Sequence, residues 1–560
     1  WFEKEGWTDE AIRHAFLAAD DKLAARLVDD AAAELALHWN NAQLIKYVKK
    51  LPLEQLPLYP RLCIYYAWAL TNTGQLDALT KILTIAESSQ AHSRQPPAIL
   101  ACVVTLRAYE HLRKLDFANA TQLCRQALSL LEPSTQGSPS AEEQWGFAAA
   151  TNLLPYICLY SDPRRAAVLY PIGLALSQKF GILVATANST ARLARAKHQL
   201  GQLHEAADVL RQGLNTLGHG RSGDAKGSRV VNVGELHLIM GRLHYEWNRL
   251  EEAEPFVQQA RQLNELSGFP PVLALELETS LRLSLARGEI EAAQTSLHRL
   301  NQLCAETHQD DQLSKQTFEV MAMNGKLALA SRAPGLGHLL VEVAGWLRER
   351  KLGAEDRFEY PLEGGYSILA RSLLAQNRPA EAFALLERLV GAAQAGGRKD
   401  DLIRYLLLQA LAVQSLGQED GAWKPLLRAL KLAEPEGYCR SFVDLGPAMH
   451  ALLKQLAKDR PTLYLTTLLE AFPEDSGKPS SAPAHPRSEA ARETDWFEPL
   501  NDRERSVLRL IAIGKSHKQI AKELQLAPNT VRWYIQSLYS KLQVHNRTKV
   551  INRARDVGLL

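Results

Sequence analysis

The strongest constraint on this chain is a pattern that returns along most of its length. A turn residue is followed five positions on by a small or apolar residue, and the unit recurs at a spacing near 40 residues. GQLDALTKIL begins at Gly74, LDFANATQLC at Leu115 and SDPRRAAVLY at Ser161. LGQLHEAADVLRQGLNTL spans Leu200–Leu217, NRLEEAEPFV begins at Asn248, and GEIEAAQTSL begins at Gly288. NRPAEAFALL and GQEDGAWKPL follow at Asn377 and Gly417. The small positions are Leu79, Ala120, Ala166, Ala206, Ala253, Ala293, Ala382 and Ala422, with gaps of 41, 46, 40, 47, 40, 89 and 40 residues. The gap of 89 is two units, with a degenerate copy near Ser331–Leu336.

Such a unit is a pair of helices. Gly or Asn closes the first helix by turning left-handed. The small residue lets the second helix approach closely, and apolar residues follow at three- and four-residue steps, as in Ala206, Leu210 and Leu214. One pair cannot cover its own apolar stripe, so neighbours must stack. The two longer gaps are expected to hold loops, Pro133–Ala141 and Gly218–Ser228. Composition agrees with helix: Leu and Ala dominate a 46% apolar share, while Val, Ile and aromatics are sparse, which excludes a mainly β chain. No apolar run approaches the ~20 residues of a membrane span, and no secretory signal opens the chain.

The pattern resembles the tetratricopeptide repeat, lengthened from ~34 residues to ~40. The resemblance covers Leu62–Glu434. It implies an all-α superhelix over residues 62–472, preceded by a helical arm or irregular repeats at 1–61. A superhelix of this kind presents a concave binding surface, although a bare spacer is the alternative.

Charge separates the other end. Residues Trp496–Leu560 hold 12 Lys+Arg and 5 Asp+Glu, a net +7, against −4 for the remainder. A small basic end on a near-neutral body suits an anionic partner. Between them, residues 473–495 are rich in Pro, Ser, Ala and charge, and read as a flexible tether.

Beyond the tether the pattern tightens into four short helices. Asn501 with Glu504 opens the first, whose apolar face is Val507, Leu508, Leu510 and Ile511; Gly514 ends it. Ser516 with Gln519 forms a capping box for the second, with Ile520, Ala521 and Leu524 inside. Pro528 begins the third, with Val531, Ile535, Leu538 and Leu542 inside and Thr530, Arg532, Trp533 and Gln536 outside. A last helix carries Val550, Ile551, Ala554 and Val557. Two short helices joined by a tight turn describe a helix-turn-helix, whose second helix enters the DNA major groove.

Residues Leu500–Leu560 resemble a LuxR-type DNA-binding domain through Glu504, Leu508, Gly514, the Ser516–Ile520–Ala521 helix, Thr530–Val531, Lys541–Leu542, Val544 and Arg547–Thr548. The resemblance implies base contacts from Arg532, Trp533 and Gln536, since Arg suits guanine and Gln suits adenine. It implies phosphate contacts from Ser516, His517, Lys518, Thr530, Lys541 and Arg547. Ala527 stands where the family usually has Ser or Thr, and Tyr534 where His is common. Ile551 and Val557 are candidates for self-association or for the small domain's own core.

Long repeats with a terminal LuxR-type domain resemble the large ATP-dependent LuxR-type regulators of the maltose-regulon activator type. That resemblance implies a nucleotide-binding module upstream, in keeping with a start at Trp1, and ATP as a cofactor there but not in this chain. It further implies a small inducer or protein partner on the repeats, self-association, RNA polymerase as a partner and activation of transcription in the bacterial cytoplasm. A rival reading is a protein-interaction scaffold whose last domain is vestigial or only dimerises.

Enzyme signatures are absent. The string GKS at Gly514–Ser516 has Arg509 where a phosphate loop needs its first Gly, and follows a helix, not a strand. No HExxH or GxSxG motif occurs. Cys63, Cys102, Cys124, Cys158, Cys304 and Cys439 form no CxxC and are expected to be buried reduced thiols, with no metal site.

Overall fold

The computed structural model describes residues 1–473 apart from 38–39, 74, 89–96, 132–150, 152, 154, 160–161, 180, 182, 219–232, 265–269, 308–310, 334, 354–355 and 357–362. Beyond 473 it describes residues 507–508, 510–512, 515, 517–524, 531, 535, 550 and 554. The chain divides into two compact units, Trp1–Pro473 and Glu474–Leu560. The described residues contain helices and no strand.

In the first unit the helices come in antiparallel pairs. First helices include Leu183–Gln199, Val233–Glu246, Pro270–Arg287, Gln312–Arg332, Glu363–Ala375 and Lys399–Ser415. Their partners are Leu203–Gly218, Leu250–Asn264, Ile290–Glu306, His338–Glu349, Pro379–Ala395 and Glu419–Ala433. The eight small positions of the repeat are all fully buried, from Leu79 to Ala422. Each is the fourth residue of its second helix, where a larger side chain would hold the pair apart.

The turns behave as a left-handed helix stop requires. Gly201, Gly288 and Gly417 have φ of 68°, 79° and 74°, while Asn248 and Asn377 have 58° and 56°. Leu115 also turns left-handed, at φ 65°, although it is neither Gly nor Asn. Its side chain packs against the core around Leu112, Cys124 and Leu159, and this burial offsets the ~1–2 kcal/mol of the backbone conformation. The degenerate copy is the turn before His338–Glu349: Gly335 turns left-handed at φ 91°, but the buried residues that follow are Leu339, Val343 and Leu347, out of the repeat's register. The two expected repeat loops fall largely on residues outside those described.

The helices of the first hundred residues are packed in the same manner. Thr8–Leu17, Asp21–Leu37, Asn41–Val48 and Pro60–Asn72 bury Ile12, Val28, Leu44 and Leu62 in one core that continues to Leu106.

One feature of the packing joins residues remote in sequence. Tyr245 Oη donates to Asp444 at 2.7 Å, across 199 residues. Trp247 Nε1 donates to the Glu436 carbonyl at 2.9 Å, across 189, and the Ser441 N–H donates to Glu246 at 2.9 Å, across 195. Tyr438 Oη donates to Asp400 at 3.2 Å, and the Cys439 N–H reaches the Glu246 carbonyl at 3.0 Å. The buried Arg113–Asp311 ion pair makes a similar link earlier in the chain. One superhelical turn therefore takes roughly five repeats, after which the array meets itself.

Gly201 sits at this meeting point. A Cβ there would lie 2.7 Å from Lys399 Cβ, and its φ is positive. Gly201→Val is expected to destabilise the chain by at least ~2 kcal/mol, through backbone strain and displacement of the neighbouring turn. Thermal unfolding of the variant checks this. Gly417→Val provides the comparison: its φ is also positive, but it has open space around it, so only the strain is paid.

Candidate functional site

Where the array meets itself it forms a cavity of about 410 Å³, partly open to solvent. Its wall is built from the inward faces of the first helices named above, completed by Arg440, Ser441, Asp444 and Leu445. Second helices cover the outside. The cavity is polar and charged in an unusual way for a core: six arginines line it, namely Arg242, Arg282, Arg332, Arg371, Arg404 and Arg440.

Most of these charges are answered. Glu278 takes both Arg242 and, at 2.6 Å, Arg282. Burial alone would raise its pKa, but the two guanidinium groups hold the carboxyl at about 2. Asp444 takes Arg332 at 3.1 Å and also Arg440. Arg404 pairs with Asp400. Glu363 and Asp401 are both engaged by Arg398, which stands behind the wall. Glu246 is raised by burial, against the pull of the Ser441 N–H and Arg404. His198 is driven down to about 3 by burial and by Arg242 and Arg404, so it is neutral in the wall.

Arg371 differs from the rest. Its Nη1 donates to the Asn324 side chain at 2.9 Å, and no carboxylate pairs with it among the described residues. Burial, with the charge of Arg282 nearby, lowers its pKa to about 10.

These wall residues were not found by sequence reading. A signal does exist for three of them: Arg242, Arg282 and Arg371 each stand six residues before a left-handed turn residue. Read alone, each is a polar residue on a helix and suggests solvent. Only the shared register, added to the superhelical closure, sends them inward.

The second unit is described through its core. Val507, Leu508, Ile511, Ile520, Ala521, Val531, Ile535, Val550 and Ala554 come together, with Leu510 and Leu524 against them. Each was placed inside by helical spacing. Gln519 and Glu523, in the helix His517–Glu523, are exposed. Lys515 pairs with Glu523 at 3.2 Å. His517 and Lys518 lie in that helix, but their side chains are outside those described. Ser516, Thr530, Arg532, Trp533, Gln536, Lys541 and Arg547 lie outside the described residues altogether, as do Ile551 and Val557.

Five of the six cysteines are buried and Cys304 is half-buried; none is in a disulfide. Burial pushes Cys63, Cys304 and Cys439 up to about 12, so these thiols are poor nucleophiles. No cluster of His, Cys, Asp or Glu suited to a metal is found among the described residues, and no described helix is long and apolar enough to cross a membrane.

Comparison with protein families places both units. Residues 101–459 match the MalT-like TPR region, and residues 498–554 match bacterial regulatory proteins of the luxR family. The class defined by this pair is a helical-repeat, DNA-binding transcription regulator. The repeat match covers more than half of the chain, so the chain belongs to the MalT-like TPR family and carries a LuxR-type helix-turn-helix domain. Both families are regulatory and not enzymatic.

Proposed function

We propose that this chain is the signal-receiving and DNA-binding part of a transcription activator, in which the repeat unit takes a small inducer and the last domain reads an operator. The observation that supports the sensing role is the cavity walled by successive first helices of the array. A ligand there touches several repeats at once, so binding can change the superhelical pitch. A spacer or scaffold role needs no such cavity with arginines turned inward.

In the DNA-binding unit, Arg532, Trp533 and Gln536 are proposed to meet base edges, and Ser516, His517, Lys518, Thr530, Lys541 and Arg547 to meet phosphates. RNA polymerase contact and self-association belong to the same reading, as does ATP binding by an upstream module of a longer parent.

The two kinds of contact have different consequences. Arg532→Ala in the full chain is expected to cost ~1–3 kcal/mol on the preferred site and to relax one base position. Lys541→Ala is expected to weaken binding to all sequences alike and to reduce the salt slope by ~1. Binding isotherms over a salt series check both. Uniform loss with Arg532→Ala would place that residue on the backbone of the DNA instead.

A further inference from the structure

Arg371 and Arg282 both face the cavity, and the two are not equally satisfied. Arg282 has Glu278 at 2.6 Å. Arg371 has one hydrogen bond, to an uncharged amide, and the described residues give it no carboxylate. Asp444, the acid whose field reaches it, is already bound by Arg332, Arg440 and Tyr245. Glu278 is likewise shared by two arginines. A guanidinium held inside a protein, next to another cation and without an anion, is a costly arrangement unless a ligand completes it.

We propose that the cavity binds a small organic oxyanion, a carboxylate or a phosphate ester, whose oxygens are taken in a forked pair by Arg371. This deepens the sensing role proposed above and rests on it. A planar guanidinium presents parallel N–H groups that match two oxygens of one anionic group. Asn324 orients the side chain from one end, leaving the other N–H groups for the ligand. The volume of about 410 Å³ exceeds what a bare ion fills, so the ligand carries a body. Ser367 offers a hydroxyl to that body, Thr317 an acceptor oxygen whose proton goes to the Leu313 carbonyl, and Leu281, Val320 and Leu408 apolar surface.

The test uses the full chain and follows thermal unfolding at an ionic strength fixed with sodium chloride. The probes are inorganic phosphate, glycerol 3-phosphate and lactate, with glycerol as the uncharged twin. At least one oxyanion is expected to raise the midpoint saturably, while glycerol has no effect. Phosphate or glycerol 3-phosphate acting alone identifies a phosphate site, and lactate acting alone a carboxylate site. Arg371→Met is expected to unfold at a higher temperature than wild type in plain chloride, because a desolvated charge is gone, and to lose the oxyanion response. Arg371→Lys keeps the charge but not the fork, and is expected to raise the half-saturating concentration about tenfold. Absence of any oxyanion response overturns the proposal, as does a glycerol response equal to that of glycerol 3-phosphate. A lower midpoint for Arg371→Met, with the oxyanion response retained, also overturns it, since Arg371 would then be a structural residue. Selection of DNA sequences by the same preparation separates the outcomes: an enriched motif without an oxyanion response rejects this site and leaves the regulator standing.

Discussion

Arg398→Met is expected to destabilise the repeat unit by ~3–5 kcal/mol, the cost of leaving a buried carboxylate without its cation. Arg398 and Glu363 are almost fully buried, at 4% and 5% side-chain exposure, and join through two hydrogen bonds of 2.5 and 2.8 Å. Asp401 adds a third at 3.1 Å. Burial raises the Glu363 carboxyl even with Arg398 beside it. Without Arg398 it rises further. A carboxyl with a raised folded pKa costs stability above that pKa and regains it on protonation. The deficit of Arg398→Met is therefore largest at neutral pH and shrinks as the pH falls through the folded pKa of Glu363. The double variant Arg398→Met/Glu363→Leu removes both ends of the pair and is expected to recover part of the loss. Chemical denaturation of the four chains of this cycle, at neutral and mildly acidic pH, checks the sign and the size. A deficit that grows on acidification would contradict the account.

Asp444→Ala is expected to cost about 3 kcal/mol and to loosen the closure of the superhelix. Asp444 accepts from Tyr245 Oη at 2.7 Å and pairs with Arg332 at 3.1 Å and with Arg440. These residues come from three separate helical segments, so the carboxylate ties the far ends of one superhelical turn together. Its loss leaves two guanidinium groups without a carboxylate, although Arg332 keeps the Leu285 carbonyl and Arg440 keeps the Asn248 side chain, and takes the acceptor from the Tyr245 phenol. Hydrogen exchange is the most direct readout of the second effect. Amides near Glu246 and Cys439, which bond across the same seam, are expected to lose protection, while the pair Asp21–Leu37 and Pro60–Asn72 keeps its own. Uniform loss across the chain would mean that the seam is no separate structural unit. Asp444→Asn keeps an acceptor of the same shape and is expected to fall between the two.

The repeat was legible because its signals are local. A left-handed turn residue and a small residue five positions on are both demanded within one helix pair, so they recur in register from Gly201 to Ala422. The core of the small unit was legible for the same reason: Val507, Ile511, Ile520, Val531 and Val550 follow helical spacing and all lie inside. The closure of the array was not legible. It depends on bonds such as Tyr245–Asp444 and Ser441–Glu246, which join residues nearly two hundred positions apart and leave no periodic trace. The cavity followed from that closure. Glu276, Glu278, Thr279 and Ser280 are polar residues close together on one helix, yet all four are buried. First helices are covered on more than one side, by their own partners, by neighbours and by the next turn, so polar residues that would mark a surface on a lone pair here mark an interior.

The proposed function joins a ligand-receiving repeat unit to a sequence-specific DNA-binding domain. The most direct test is selection of a random-sequence DNA pool by the full chain, with and without an oxyanion that raises its thermal midpoint. The account predicts an enriched motif whose recovery changes when the ligand is present, and whose binding weakens steeply with salt. Retention of DNA with no enriched motif under either condition would contradict it, and would reduce the last domain to a non-specific polyanion binder.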